Sequence, residues 1–92
     1  MTSYGFEVAG KNAIIKTLEK KYGKQIKIQE LHTVWFSYVL GNMKMIITDA
    51  GPSNRIYEVT YNRQANKMYV DVYEKQLNAT YTENEFKSVV EE

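Results

Sequence analysis

Apolar residues change their spacing several times along this chain, and each change marks a new element. Over residues 10–22, Ile14, Ile15, Leu18 and Tyr22 recur every three or four positions while Lys16, Glu19, Lys20 and Lys21 fall largely elsewhere. That spacing predicts an amphipathic helix. Gly23 is its natural stop, because glycine takes the left-handed conformation after a last helical turn without steric cost. From Gln25 the period becomes two, with Ile26 and Ile28 set against Gln25, Lys27 and Gln29, which predicts a strand over 25–31. Residues 34–40, VWFSYVL, are apolar or aromatic except for Ser37. Such a run fits either a strand covered on both faces or one that changes face.

Gly41-Asn42 reads as a turn, and Met43, Met45 and Ile47 then alternate with Lys44, Ile46 and Thr48. The loop 50–54, AGPSN, is the strongest break in the chain. Beyond it Tyr57, Val59 and Tyr61 alternate with Ile56, Glu58 and Thr60. After a polar turn at 62–66, Met68, Val70 and Val72 alternate with Tyr69, Asp71 and Tyr73. A register can be tested by the rule that opposed residues in an antiparallel pair share a face. Pairing Asp49 with Arg55 places Ile47 on Tyr57, Met45 on Val59 and Met43 on Tyr61; pairing Tyr61 with Met68 places Val59 on Val70 and Tyr57 on Val72. Three strands then present one apolar face to the helix stripe. Near the end, Thr82-Glu83-Asn84-Glu85 has the reciprocal capping pattern, and Phe86, Val89 and Val90 form a short apolar stripe, predicting a helix over 83–91. The expectation is a single α+β domain over 1–92: an N-terminal helix packed on an antiparallel meander of about four strands, a short C-terminal helix, and a flexible segment over 1–9.

Composition narrows the function classes. The chain of 92 residues is 43% apolar with one proline, enough to enclose one core but not two. No run approaches the roughly 20 apolar residues that cross a bilayer, and the first eleven lack the charged start and apolar middle of a signal peptide. There is no cysteine, so disulfides, thiolate metal sites and thiol nucleophiles are excluded together. Net charge is +1, but residues 1–44 carry seven Lys/Arg against three Asp/Glu, and residues 45–92 carry five against eight. Such polarity can steer an anionic partner, or the halves can complement each other within one compact domain.

No catalytic set emerges. His32 is the sole histidine, without a nearby serine and orienting carboxylate, and Ser37 and Ser53 lack the glycine-framed turn of a serine nucleophile. The five glycines stand singly, so no phosphate-cradling loop exists, and no metal-ligand spacing appears. The expectation is a non-enzymatic chain with no cofactor and no metal. The register sets Glu58 opposite Asp71 on the outer face, where like charges repel; a bound cation or basic partner group would relieve them, as would plain solvent exposure or a shifted register.

The aromatics carry more. Eight tyrosines, three phenylalanines and one tryptophan make 13% of the chain. Tyr57 and Tyr61 fall on the core face, whereas Tyr69 and Tyr73 fall on the other face near Ile46 and Ile56. A patch of this kind is covered by the terminal helix, used in self-association, or used as a partner surface, and Trp35, Phe36, Tyr38, Tyr69 and Tyr73 are the candidate partner-binding residues. The expected function is a binding or accessory module that contacts another protein or a second copy. The alternative is single-stranded nucleic-acid binding by an aromatic sheet face, which near-neutral charge disfavours.

The order of elements also resembles small lipoprotein ectodomains of Gram-positive bacteria. The matching pieces are Leu18-Glu19-Lys20-Lys21-Tyr22-Gly23-Lys24, the segment 25–31, the loop 50–54 before Ile56-Tyr57-Glu58-Val59, and Asp71-Val72-Tyr73 before Leu77. The resemblance implies a helix-on-curved-sheet shape similar to cystatin-like or PepSY-type domains, no enzyme activity, and an extracytoplasmic domain tethered to the membrane by a lipid anchor. This chain carries no lipobox cysteine, so membrane contact is expected only through an anchor absent from it, and a cytoplasmic location is the alternative.

Overall fold

A computed structural model describes residues 2–49, 55–74 and 79–90, with the side chains of Phe86, Ser88, Val89 and Val90 outside that description. Helix α1 spans Ser3–Tyr22 and is followed by a 3-10 turn, Ile28–Glu30. Strands β1 (Leu31–Val39), β2 (Asn42–Asp49), β3 (Arg55–Asn62) and β4 (Lys67–Glu74) come next, and α2 (Glu83–Val90) is the last described element. The four strands form one antiparallel sheet in the order β1-β2-β3-β4. The expected α+β meander with a helix at each end is the observed architecture.

Helix α1 begins seven positions before the expected residue 10, and most of the segment expected to be flexible is its first turns. Thr2 caps it: the Thr2 hydroxyl oxygen accepts from the Gly5 amide at 3.0 Å, satisfying one of the orphan donors of the first turn. Its buried positions are Phe6, Gly10, Ile14 and Leu18, a strict four-residue repeat. Gly10 belongs to that stripe because it has no side chain. A Cβ there would stand 2.5 Å from Met45 Cε and 3.3 Å from Val59 Cγ1, so glycine lets the helix backbone lie directly on β2 and β3. At the other end Gly23 takes φ +63° and its amide donates to the Glu19 carbonyl, while the Lys24 amide reaches Leu18.

The strand expected over 25–31 does not form. Ile26 is buried, Ile28 is half-buried within the 3-10 turn, and regular pairing starts only at Leu31. Two alternating isoleucines are too few to hold a strand where the chain must cross from the helix end to the sheet edge. A single tight turn, closed by the Glu30 amide on the Lys27 carbonyl, makes that crossing instead.

The registers of β2 with β3 and of β3 with β4 are those expected, from Met43 opposite Tyr61 to Ile47 opposite Tyr57, and from Tyr57 opposite Val72 to Tyr61 opposite Met68. The loop 50–54, with Pro52 and Ser53, lies outside the described residues, as does Leu77. The core gathers Phe6, Ile14, Leu18, Ile26, Leu31, Met43, Met45, Ile47, Tyr57 and Val59 between α1 and one sheet face. Strand β1 does change face. It pairs Thr33 with Ile47 and then Trp35 with Ile46, leaving Val34 as a bulged residue. The bulge explains why the apolar run 34–40 shows no simple alternation.

Between β1 and β2 the turn is Leu40-Gly41, one position earlier than expected, with φ of +52° and +84°. Two consecutive positive φ values match the tight hairpin turn whose twist suits the flanking strands. Asn42 belongs to β2, and its side-chain oxygen accepts from the Arg63 amide at 2.9 Å, tying this turn to the β3–β4 turn.

Candidate functional site

The sheet face turned away from α1 holds three cross-strand rows. His32, Thr48, Ile56 and Tyr73 form the first; Trp35, Ile46, Glu58 and Asp71 the second; Ser37, Lys44, Thr60 and Tyr69 the third. Trp35, Ile56, Tyr69 and Tyr73 each keep between 47% and 52% of their surface exposed. The described side chains of helix α2, Glu83, Asn84, Glu85 and Lys87, are exposed. The expectation that Phe86, Val89 and Val90 cover this face falls on side chains outside the description.

Of the five candidate residues, the sheet brings Trp35, Tyr69 and Tyr73 to this outer face and does not bring Phe36 and Tyr38. Phe36 opposes Met45 on the helix face and meets Phe6 edge-on at 5.8 Å between ring centroids. Tyr38 opposes Met43 on that same helix-side face, though its ring is exposed. Trp35 and Phe36 are sequence neighbours, and neighbours in a strand point to opposite faces. That signal was present in the sequence and separates the set. Ile46 and Ile56 supply the aliphatic part of the outer surface instead.

Glu58 and Asp71 are cross-strand partners, as expected. The like-charge contact is relieved from within the chain: the Lys44 ammonium lies 3.3 Å from Glu58 Oε1. Among the described residues no group of three His, Asp or Glu side chains is placed to hold a metal ion. The outer face thus carries Lys44 and Lys67 against Glu58 and Asp71, a balanced charge. The exposed lysines of α1 and its exit, Lys16, Lys20, Lys21 and Lys24, belong to the other side of the sheet.

The remaining polar cluster lies at the open end of β2–β3–β4 on the helix side. The buried Tyr57 hydroxyl donates to Asp49 Oδ2 at 3.0 Å, and Arg55 Nε donates to Glu74 Oε1 at 3.0 Å. The Arg55 guanidinium also sits 4.6 Å over the Tyr22 ring, clamping the last turn of α1. Burial first, and the bond to Asp49 next, push the Tyr57 phenol up to about 12. The bond to Glu74 holds the Arg55 guanidinium above its ordinary value. A phenol held neutral and a cation held by a carboxylate do the work of anchoring a helix end. His32 is exposed on the outer face, and no nucleophile–base–orienter set is assembled among the described residues.

Residues 7–83 match a family described as a family of unknown function, DUF6275, and the chain belongs to that family. No curated protein and no solved structure matches the chain. Among the described residues no helix is long and apolar enough to cross a membrane.

Proposed function

We propose that this DUF6275 member is a non-enzymatic binding module that contacts another protein through the outer face of its sheet. The observation that carries the reading is the placement of Trp35, Ile46, Ile56, Tyr69 and Tyr73 on the sheet face turned away from α1, where Trp35, Ile56, Tyr69 and Tyr73 stay about half exposed among the described residues. Exposed tyrosine and tryptophan supply large, rigid contact area and are enriched at the energetic centres of protein interfaces. The ion pair Lys44–Glu58 and the exposed Asp71 give that surface polar points that fix orientation. A nucleic-acid reading has less support, because the face is charge-balanced and the lysines of α1 lie on the far side of the sheet.

The test is a comparison of faces. A photo-crosslinking amino acid at Tyr69 or Tyr73, and separately at Tyr4 or Tyr22 on the helix side, is introduced into the full chain expressed in its native cells. The reading expects one discrete protein adduct from the outer-face positions, lost when Trp35 is changed to serine. Equal adducts from both faces, or none from Tyr69 and Tyr73, would overturn it. Free access of acrylamide to Trp35 fluorescence in the isolated protein is a prior requirement, and a shielded indole would sink the reading at once.

A further inference from the structure

The two edges of the sheet are built differently. Strand β1 carries the bulge at Val34, a device that twists an edge out of line and discourages strand addition. Strand β4 ends the sheet on the other side and is a regular run of eight residues with no bulge or proline. Its inward residues Met68, Val70 and Val72 pack against the core yet stay half-buried, and among the described residues no strand lies beyond them in the sheet. On the outer side the strand presents Lys67, Tyr69, Asp71 and Tyr73, all exposed.

The sequence of this edge is complementary to itself when reversed. In an antiparallel pair centred on Tyr69, Lys67 of one strand opposes Asp71 of the other, Met68 opposes Val70, and Tyr69 opposes its own copy. Opposed residues share a face, so charges meet charges on the outer side and apolar groups meet apolar groups on the inner side. A pair centred on Asp71 would set carboxylate against carboxylate. Charges that merely guard an edge need no such arrangement; here opposite signs stand symmetrically about one residue, which is what a twofold axis requires. Neither Lys67 nor Asp71 has an ion-pair partner among the described residues.

The geometry points to a second copy of this chain as the occupant of the β4 edge, in a twofold antiparallel pairing centred on Tyr69. The inference goes beyond the proposed protein-binding face, since its attraction lies in the backbone of the edge, with Lys67, Tyr69 and Asp71 of the outer side setting only the register. The pairing joins two sheets of four strands into one sheet of eight and sets the two outer aromatic surfaces side by side. Added backbone hydrogen bonds provide the attraction, and the Lys67–Asp71 pairs fix the register.

The test measures association of the full chain by sedimentation equilibrium, with circular dichroism confirming that each variant is folded. Wild-type protein is expected to show a concentration-dependent monomer–dimer equilibrium that weakens with salt. Lys67→Asp or Asp71→Lys alone should weaken dimerisation at least tenfold, because symmetry doubles each like-charge contact. The double reversal Lys67→Asp/Asp71→Lys should restore it, which a folding defect would not. Because the chain has no cysteine, Tyr69→Cys supplies the only thiol, and mild oxidation should link it to its copy across the axis. A protein monomeric at every concentration overturns the inference. So does a dimer indifferent to both charge reversals, or one that cross-links through Trp35→Cys and not through Tyr69→Cys. All these readouts are independent of whether the outer face captures another protein.

Discussion

Replacing Gly10 by alanine is the most direct challenge to the way α1 lies on the sheet. Two effects oppose each other. Alanine in a helix interior is favoured over glycine by about 1 kcal/mol, and in a solvent-facing position that gain would appear in full. Here the new Cβ would sit 2.5 Å from Met45 Cε and 3.3 Å from Val59 Cγ1, both in fully buried side chains. Carbon atoms rest at about 3.5–4.0 Å, so the Met45 methyl must retreat by at least about 1 Å, and Val59, stiff at χ1, must yield as well. Overpacking of this kind costs about 1–3 kcal/mol. The expected net effect is a destabilisation of about 1 kcal/mol, read by urea denaturation followed at 222 nm. A shorter side chain at Met45 removes the first collision. In a Met45→Leu background, Gly10→Ala should therefore be neutral or stabilising, giving a coupling of about 1 kcal/mol in a double-mutant cycle. If Gly10→Ala alone raises stability by the full helix-propensity gain, the helix does not rest on Met45 and Val59, and the packing described above is wrong.

Three further outcomes check other parts of the structure. Leu40 holds φ +52° in the tight turn and is 82% exposed, so Leu40→Asn should stabilise by about 0.5–1 kcal/mol in thermal unfolding, because asparagine tolerates that region and little packing is lost. Thr2→Ala removes the only side-chain cap of α1 and should cost about 1 kcal/mol, with faster amide exchange at Gly5 as its local sign. Tyr57 is held protonated up to about 12, whereas an unfolded tyrosine titrates near 10. The folded state then binds more protons above about pH 10, so stability should decline from there to about pH 12, more steeply in wild type than in Tyr57→Phe. Equal slopes in the two proteins would contradict the burial of the Tyr57 hydroxyl together with its bond to Asp49.

The sheet was legible because three segments independently alternate with period two, and pairing them across the two turns puts all the apolar positions on one face. The start of α1 was not, for a physical reason. Its stripe runs Phe6, Gly10, Ile14, Leu18, and its second member is a glycine, which reads as a helix breaker when its job is close approach. Thr2 has Gly5 where a reciprocal cap would have glutamate, so the cap left no pattern to find. Ile26 and Ile28 imitate a strand because two alternating residues suffice for the imitation, whereas the pairing partner that makes a strand is absent. The candidate surface was half legible. Tyr69 and Tyr73 followed from the β3–β4 register, but the faces of Trp35, Phe36 and Tyr38 depend on the bulge at Val34, and a bulge is defined by its partner strand, not by its own residues.

One helix is too narrow for this sheet, and that mismatch separates the two modes of association. A helix is about 10 Å wide and strands lie about 4.8 Å apart, so α1 cannot bury all four strands fully, although it approaches β4 as well as β2. The buried inward residues are Leu31 on β1 and Met43, Met45, Ile47, Tyr57 and Val59 on β2 and β3, while Met68, Val70 and Val72 of the edge strand β4 remain half-buried. Association through the outer aromatic face leaves this inner row and the open β4 backbone as they are. Association through the β4 edge buries both. Hydrogen exchange therefore discriminates: the outward-pointing amides of residues 67–71 should become more protected as protein concentration rises if β4 meets its copy. If their exchange is constant while Trp35 becomes shielded, the copies meet face to face, and the unpaired edge is simply an edge.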